Sequence, residues 1–344
     1  MARVPTSGMD RRDKIKIGIL VAMVLAVPAY LVIPWVHGRL QEFFSGARAQ
    51  LFGQVLMAIL LEAFPFVLVG ATVSGVVEVL VRPERLARLI PKRLWARLLL
   101  AAGAGVILPV CECGIVPVVR RLLRKGLPVE MAVVFMLAAP IVNPTVIAST
   151  AVAFVGQGLS LQMTVARVVC GVTVAALVGL AAFRWLRGSV AALSAPDEAE
   201  AGHAPGGSVL TSILTHVVHD FMLVGGYLLL GSLIAAGLQA FVARDMLVAV
   251  GEKPVLATAG MMLMAFLLNM CSEADAFVAA TFTQFSFAGR LAFLVFGPML
   301  DVKLVAMYLG AFPKRMLLTV LILVPPLCLV VCEVAGWLVG VLTG

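Results

Sequence analysis

Cys111, Glu112 and Cys113 place two thiols and a carboxylate within one turn of chain, with Gly114 next and Pro117 three residues on. Thiolates bind soft metals, Zn and trivalent metalloids, and a Cys-x-Cys pair can set both sulfurs on one ion. Pro109, just upstream, frees backbone groups from helical pairing. A plainer alternative is that two small Cys residues fill a tight hairpin. The carboxylate between them favours a working site, because an acid at membrane depth is costly unless it is used. A second such turn, Cys271-Ser-Glu273-Ala-Asp275, adds a thiol and two carboxylates. It could be an acidic external loop, but the apolar run Leu256 to Met270 before it favours a buried site.

Two further breaks follow these turns. Pro140-Ile-Val-Asn143-Pro144 and Gly297-Pro298-Met-Leu-Asp301 interrupt apolar segments at matching places, and such breaks either kink a helix or leave carbonyls free to line a cavity. The candidate substrate-binding set is therefore Cys111, Glu112, Cys113, Gly114, Pro117, Asn143, Cys271, Glu273, Asp275 and Asp301. Cys111, Cys113, Cys271 and Glu273 are the candidate metal ligands. Lys303 could be the counter-ion of Asp301 or of Glu273. Glu62, His219, Asp220 and Lys303 are candidates for coupling to an ion. His216, His219 and Asp220 share one helical face, where they could bind metal or relay protons, or anchor the end of a long helix. Glu78, Glu333 and Arg167 read as interfacial side chains that snorkel toward water.

The elements that must position these groups are helices in lipid. Of the 344 residues, 62% are hydrophobic and 13% charged, and the mean hydropathy is +1.08. A water-soluble surface needs more polar covering than that. The apolar runs are continuous rather than alternating, which predicts a helical bundle and excludes a porin-like barrel. Ile15 to Val36 is too long for a signal-peptide core and reads as a first span. The net charge of +8 does not indicate nucleic acid, since Lys and Arg sit at the ends of apolar segments. Six Cys, half of them inside apolar runs (Cys170, Cys328, Cys332), indicate no disulfide framework.

Positive charge gathers at the N-terminus, Arg82 to Arg97, Arg120 to Lys125, Arg184 with Arg187, and Lys314 with Arg315. Placing all five in the cytoplasm requires Leu98 to Val119 to be a re-entrant hairpin that turns at Cys111 to Gly114. Pro128 to Val155 then crosses outward and Leu161 to Phe183 returns. Ser194 to Ser208, rich in Pro, Gly and Ala, is a linker. Val209 to Val242 crosses outward, Pro254 to Phe285 forms a second hairpin, Leu291 to Phe312 returns, and Met316 to Val341 crosses last.

Phe66 to Val81 aligns without gaps on Tyr227 to Val242, and nearly the same register carries Cys111 onto Cys271, Pro140 onto Pro298, and Asn143 onto Asp301. The predicted fold is an all-α polytopic membrane protein, an inverted repeat with about seven spans and two broken hairpins. Residues 1–50 hold the first span and an external connection, and 51–187 the first repeat. Residues 188–208 are a cytoplasmic linker, and 209–344 the inverted repeat. The chain should lie in the cytoplasmic membrane with its N-terminus in the cytoplasm.

Cys111-Glu-Cys-Gly-Ile-Val-Pro117, the basic turn to Gly126, and Phe-Met-Leu-Ala-Ala-Pro140-Ile-Val-Asn-Pro144 together resemble the predicted permeases of the ArsP/YraQ/YcgR type, nearest the YcgR branch. That family usually carries Cys-Ser-Cys-Gly, so Glu112 departs from its pattern. The resemblance implies a transporter without a cofactor. ArsP-like members export trivalent organoarsenicals, whereas the YcgR branch is often paired with a second membrane subunit and is associated with metal homeostasis, zinc in particular. The expected function is movement of a Zn-like divalent ion or a trivalent metalloid, with lipid and a possible second subunit as partners. The alternatives are a membrane thiol oxidoreductase, which Cys-x-Cys spacing disfavours, and a non-conducting scaffold subunit.

Overall fold

The computed structural model describes residues 46–80, 82–108, 110–186, 209–241 and 254–343. The expected span Ile15 to Val36, the linker at 188–208 and the Pro109 break lie outside the described residues. Two units divide the chain, residues 1–53 and 54–344. Of the first, residues 46–53 are described, as a bend and the opening of α1; the account below concerns the second.

Every regular element among the described residues is helical, as a chain that must satisfy its backbone without water requires. In order the α-helices are α1 Ala47–Leu80, α2 Pro83–Leu89, α3 Leu94–Ile107, α4 Glu112–Arg124, α5 Val129–Val142, α6 Pro144–Ala153, α7 Ser160–Trp185, α8 Val209–Phe241, α9 Pro254–Leu268, α10 Ala274–Thr281, α11 Phe287–Phe296, α12 Val302–Ala311 and α13 Lys314–Thr343, with a 3-10 turn Val155–Gln157 between α6 and α7. Helices α1, α7, α8 and α13 are long and apolar enough to cross a bilayer, and α5 with α6 passes the same test only as a pair, bent by 42° at Asn143. The expected broken return Leu291 to Phe312 is interrupted where Gly297 to Asp301 predict, between two ten-residue helices, α11 and α12. Asp301 accounts for the interruption: its carboxylate accepts from the Leu304 N–H at 2.7 Å and starts a new helix there.

Burial separates the inner elements from the outer ones. All of α5 is buried, as is α11 from Ala288 to Phe296, so both are apolar all round because protein surrounds them. The long helices keep one apolar face outward: Leu61 on α1 is 70% exposed, Leu161 on α7 77% and Ile322 on α13 63%. Large apolar faces of this kind suit contact with lipid.

Local contacts fix the course of the first hairpin. Arg97 near the start of α3 pairs with Glu130 near the start of α5, and Gly105 near its end packs on Ala139 near the end of α5. α3 and α5 therefore run parallel. A tight turn, closed by the Leu127 N–H on the Leu122 carbonyl at 2.9 Å and by Gly126 at φ 93, reverses α4 into α5. The arms α3 and α4 accordingly run antiparallel, α3 ending at its cap Leu108 and α4 opening after Cys111. In the second half Gly289 faces Met261 and Gly297 faces Ala265, so α9 and α11 are parallel as well.

The packing pairs recur between the halves. α5 packs on α3 and α7, and α11 packs on α9 and α13. Across the halves α4 packs on α12, and α6 on α10. Gln157, just past α6, donates to the Ala280 carbonyl at the end of α10 at 2.6 Å and accepts from Arg290 near the start of α11 at 2.5 Å. The start of α11 thus lies beyond the end of α6, whereas the start of α5 lies before it. The two broken pairs approach their common centre from opposite directions. The match is incomplete at the outer helices: Gly70 of α1 meets α4, while its counterpart Gly231 of α8 meets α12.

Candidate functional site

The two turns between hairpin arms meet at that centre. Cys111 caps α4 in extended conformation and Glu112 opens the helix, where an acid gains from the helix dipole. Glu112 is 1% exposed; its Oε2 accepts from Ser272 Oγ at 2.9 Å and its Oε1 from Lys303 Nζ at 3.3 Å. Ser272 occupies in the second turn the place that Glu112 holds in the first, so the two tips touch through equivalent residues.

Lys303 answers the open choice of counter-ion with neither option alone. Its Nζ lies 3.4 Å from Asp301 Oδ2 as well as 3.3 Å from Glu112, and donates to the Asn269 carbonyl at 3.1 Å. Glu273 goes elsewhere: its Oε1 lies 3.1 Å from Thr145 Oγ1, and Thr145 N–H donates to Asn143 Oδ1 at 3.0 Å to cap α6. Asn269 adopts a positive φ of 51°, a conformation Asn tolerates, and its Oδ1 accepts from the Lys303 N–H at 3.0 Å. The breaks at Asn143 and Asp301 thus each reach the opposite hairpin tip.

Arg167 corrects the reading of that residue as interfacial. Burial is nearly complete at 1% exposure: Nη2 lies 3.0 Å from both oxygens of Asp275 and donates to the Ser272 carbonyl at 3.0 Å, while Nη1 donates to Thr150 Oγ1 at 2.7 Å. Asp275 is consequently engaged in holding the second tip to α7. Gly114 and Pro117 serve packing against α1. A Cβ at Gly70 would collide with the Gly114 backbone, and the Pro117 carbonyl accepts from Ser74 Oγ at 3.3 Å.

Cys111, Cys113 and Cys271 are free thiols, all buried. Among the described residues no group of three or more His, Cys, Asp and Glu side chains is arranged to hold a metal ion. Cys111, Cys113, Cys271 and Glu273 therefore sit around the same junction without converging on one point.

Asp220 belongs to a different place. Arg121 Nη2 lies 3.0 Å from both its oxygens and Ser74 Oγ donates to it at 2.5 Å, while Glu78 meets Arg121 at 3.4 Å and Lys125 at 3.5 Å. Arg121 is nine residues along α4 from Glu112, about 14 Å at the helical rise. This cluster fastens α1, α4 and α8, which fits the anchoring alternative, and Glu78 is one of its members. His219 Nε2 is buried without a hydrogen-bond partner. Residues that the motifs did not single out are Ser272, Asn269, Thr145 and Thr150. Ser272 was within reach, since it aligns with Glu112; the others become visible only through their partners.

Several apolar spans around a centre built from interrupted helices define a multi-pass membrane protein of the permease class. The family model described as "Predicted permease", of the ArsP type, matches residues 49–337, and the chain belongs to that family. It is 40% identical over 265 residues to UPF0718 protein YcgR of Bacillus subtilis (strain 168), covering 76% of this chain and 88% of that one. It is also 35% identical over 272 residues to a protein of Streptococcus mutans serotype c provisionally named a two-component membrane permease complex subunit, covering 77% and 88%. No solved structure matches.

Proposed function

We propose that this chain is the conducting subunit of a permease of the cytoplasmic membrane that carries a thiophilic substrate, a Zn-like divalent ion or a trivalent metalloid species, past the junction of the two tips. The observation that carries this reading is the contact of Glu112 with Ser272 at 2.9 Å between hairpins approaching from opposite directions. A centre of that kind can be exposed to one side or the other by rocking the halves, the alternating-access scheme of inverted repeats. Cys111, Cys113 and Cys271 supply soft ligands there, and Glu273, Asn143 and Asp301 supply oxygen ligands. Convergence of the thiols on the passenger belongs to the loaded state.

The charge pattern supports a cytoplasmic N-terminus and a cytoplasmic origin for the first hairpin. Residues 51–187 and 209–344 act as the moving halves. A second membrane subunit is proposed as partner on the strength of the streptococcal relative's name. The test is Zn²⁺ flux into proteoliposomes containing the purified chain. The double substitution Cys111→Ser/Cys113→Ser should reduce flux to the lipid background while Cys328→Ser leaves it unchanged. Full flux in the double variant would remove the thiols from the pathway.

A further inference from the structure

Charge at the meeting of the two tips does not balance. Glu112 and Asp301 flank Lys303, and Glu62 acts on it electrostatically from farther off, while Glu273 is turned to Thr145. Asp275 has its own partner in Arg167. Among the described residues in these contacts, one ammonium group thus faces three carboxylates. Unpaired charge in such surroundings is expensive, so the excess calls for a cation.

Lys303 is held by several long contacts, its Nζ also donating to the Asn269 and Met270 carbonyls at 3.1 and 3.5 Å. Its side chain is 3% exposed, yet its ion pairs at 3.3 and 3.4 Å are longer than the roughly 2.7–2.9 Å of a well-formed charged hydrogen bond. Asp301 Oδ2, on a residue 1% exposed, accepts no hydrogen bond and has this ammonium as its ion-pair contact; Glu273 Oε2 is likewise buried and takes none. The Lys303 backbone is fixed, its N–H on Asn269 and its Cα packed where a Cβ on Gly231 would come within 2.8 Å. The four-carbon stem beyond it carries a compact point charge on rotatable bonds, so a change of rotamer is enough to move that charge.

We propose that the passenger is a cation rather than a neutral metalloid species, and that Lys303 is a tethered cation that fills its place in the empty site and withdraws when it enters. This rests on the reading of the tips as the passenger site. A divalent ion brings twice the charge of the ammonium to acceptors that include Asp301 Oδ2, which takes no hydrogen bond. A neutral trivalent arsenical would leave the excess negative charge in place. Lys303 is on this account a specificity-determining residue.

The experiment measures equilibrium binding of Zn²⁺, and separately of phenylarsine oxide as a neutral thiophile, to the full chain in lipid nanodiscs. Wild type, Lys303→Met and Lys303→Arg are compared, each first shown to be monodisperse. Lys303→Met should bind Zn²⁺ about tenfold more tightly than wild type, with arsenical affinity unchanged within about twofold. Lys303→Arg, with a more firmly held fork, should bind Zn²⁺ about tenfold more weakly. If wild type binds Zn²⁺ and a folded Lys303→Met binds it no more tightly, the competition is overturned while the transport reading stands. An equal gain for arsenical overturns it too, since the substitution would then merely have loosened the site. Absence of Zn²⁺ binding in every form overturns both readings together. Where Lys303→Met does not assemble, Lys303→Arg decides, and unchanged affinity refutes the proposal.

Discussion

Arg167→Met tests whether the second hairpin tip is held from the first half of the chain. Arg167 gives Asp275 a two-oxygen ion pair at 3.0 Å, with both side chains at most 5% exposed, and adds bonds to the Ser272 carbonyl and Thr150 hydroxyl. Removing one member of a buried pair strands the other, which costs about 3–5 kcal/mol; an exposed pair contributes about 1 kcal/mol or less. The variants Arg167→Met, Asp275→Leu and the double form a cycle, with unfolding free energy measured in mixed micelles. Each single substitution should cost about 3–5 kcal/mol and the double much less than their sum, because apolar replacement of both partners is often near neutral. The expected coupling is therefore at least about 2 kcal/mol. A single-variant cost below about 1 kcal/mol, with no coupling, would mean that Arg167 reaches water after all.

Gly70→Ala should block the α1–α4 crossing, since its Cβ would meet the Gly114 backbone, whereas Gly103→Ala on α3 meets nothing within 4 Å. Thermal unfolding in detergent should drop markedly for the first and stay within error of wild type for the second. Asn143→Ala removes the α6 cap and should lower stability by about 1 kcal/mol; the same measurement checks it, and a neutral result would assign the bend to Pro144 alone.

The helical class, the interrupted segments and the tip at Cys111 could be read from the chain because each depends on local pattern: apolar run length, Pro and Gly placement, and charge at segment ends. Partners could not be read. Arg167 and Asp275 lie 108 residues apart, and nothing near Arg167 distinguishes a buried guanidinium from one at an interface. Lys303 has acids at Asp301 and Glu273 in its own half, yet one of its anions is Glu112, brought in from the other. Spacing also misleads about convergence. Cys111 and Cys113 are neighbours in sequence, but where their sulfurs point depends on the cap that starts α4. Asp220 is a candidate for ion coupling through its own helix, and its pairing with Arg121, 99 residues away, is likewise invisible in the spacing.

The reciprocal bracing of the two tips bears on how the protein is made. Glu112 waits 191 residues for Lys303 to be synthesised, which at about 5–20 residues per second is roughly 10 to 40 s. During that interval a bare carboxylate has no ion-pair partner from its tip's other half, and Arg167 has none until Asp275 emerges. The nascent first hairpin can therefore settle at depth only with its charges wetted or shielded, and insertion of the first half becomes final when the second arrives. The contacts that brace the two tips thus close only once the second half of the chain has been made.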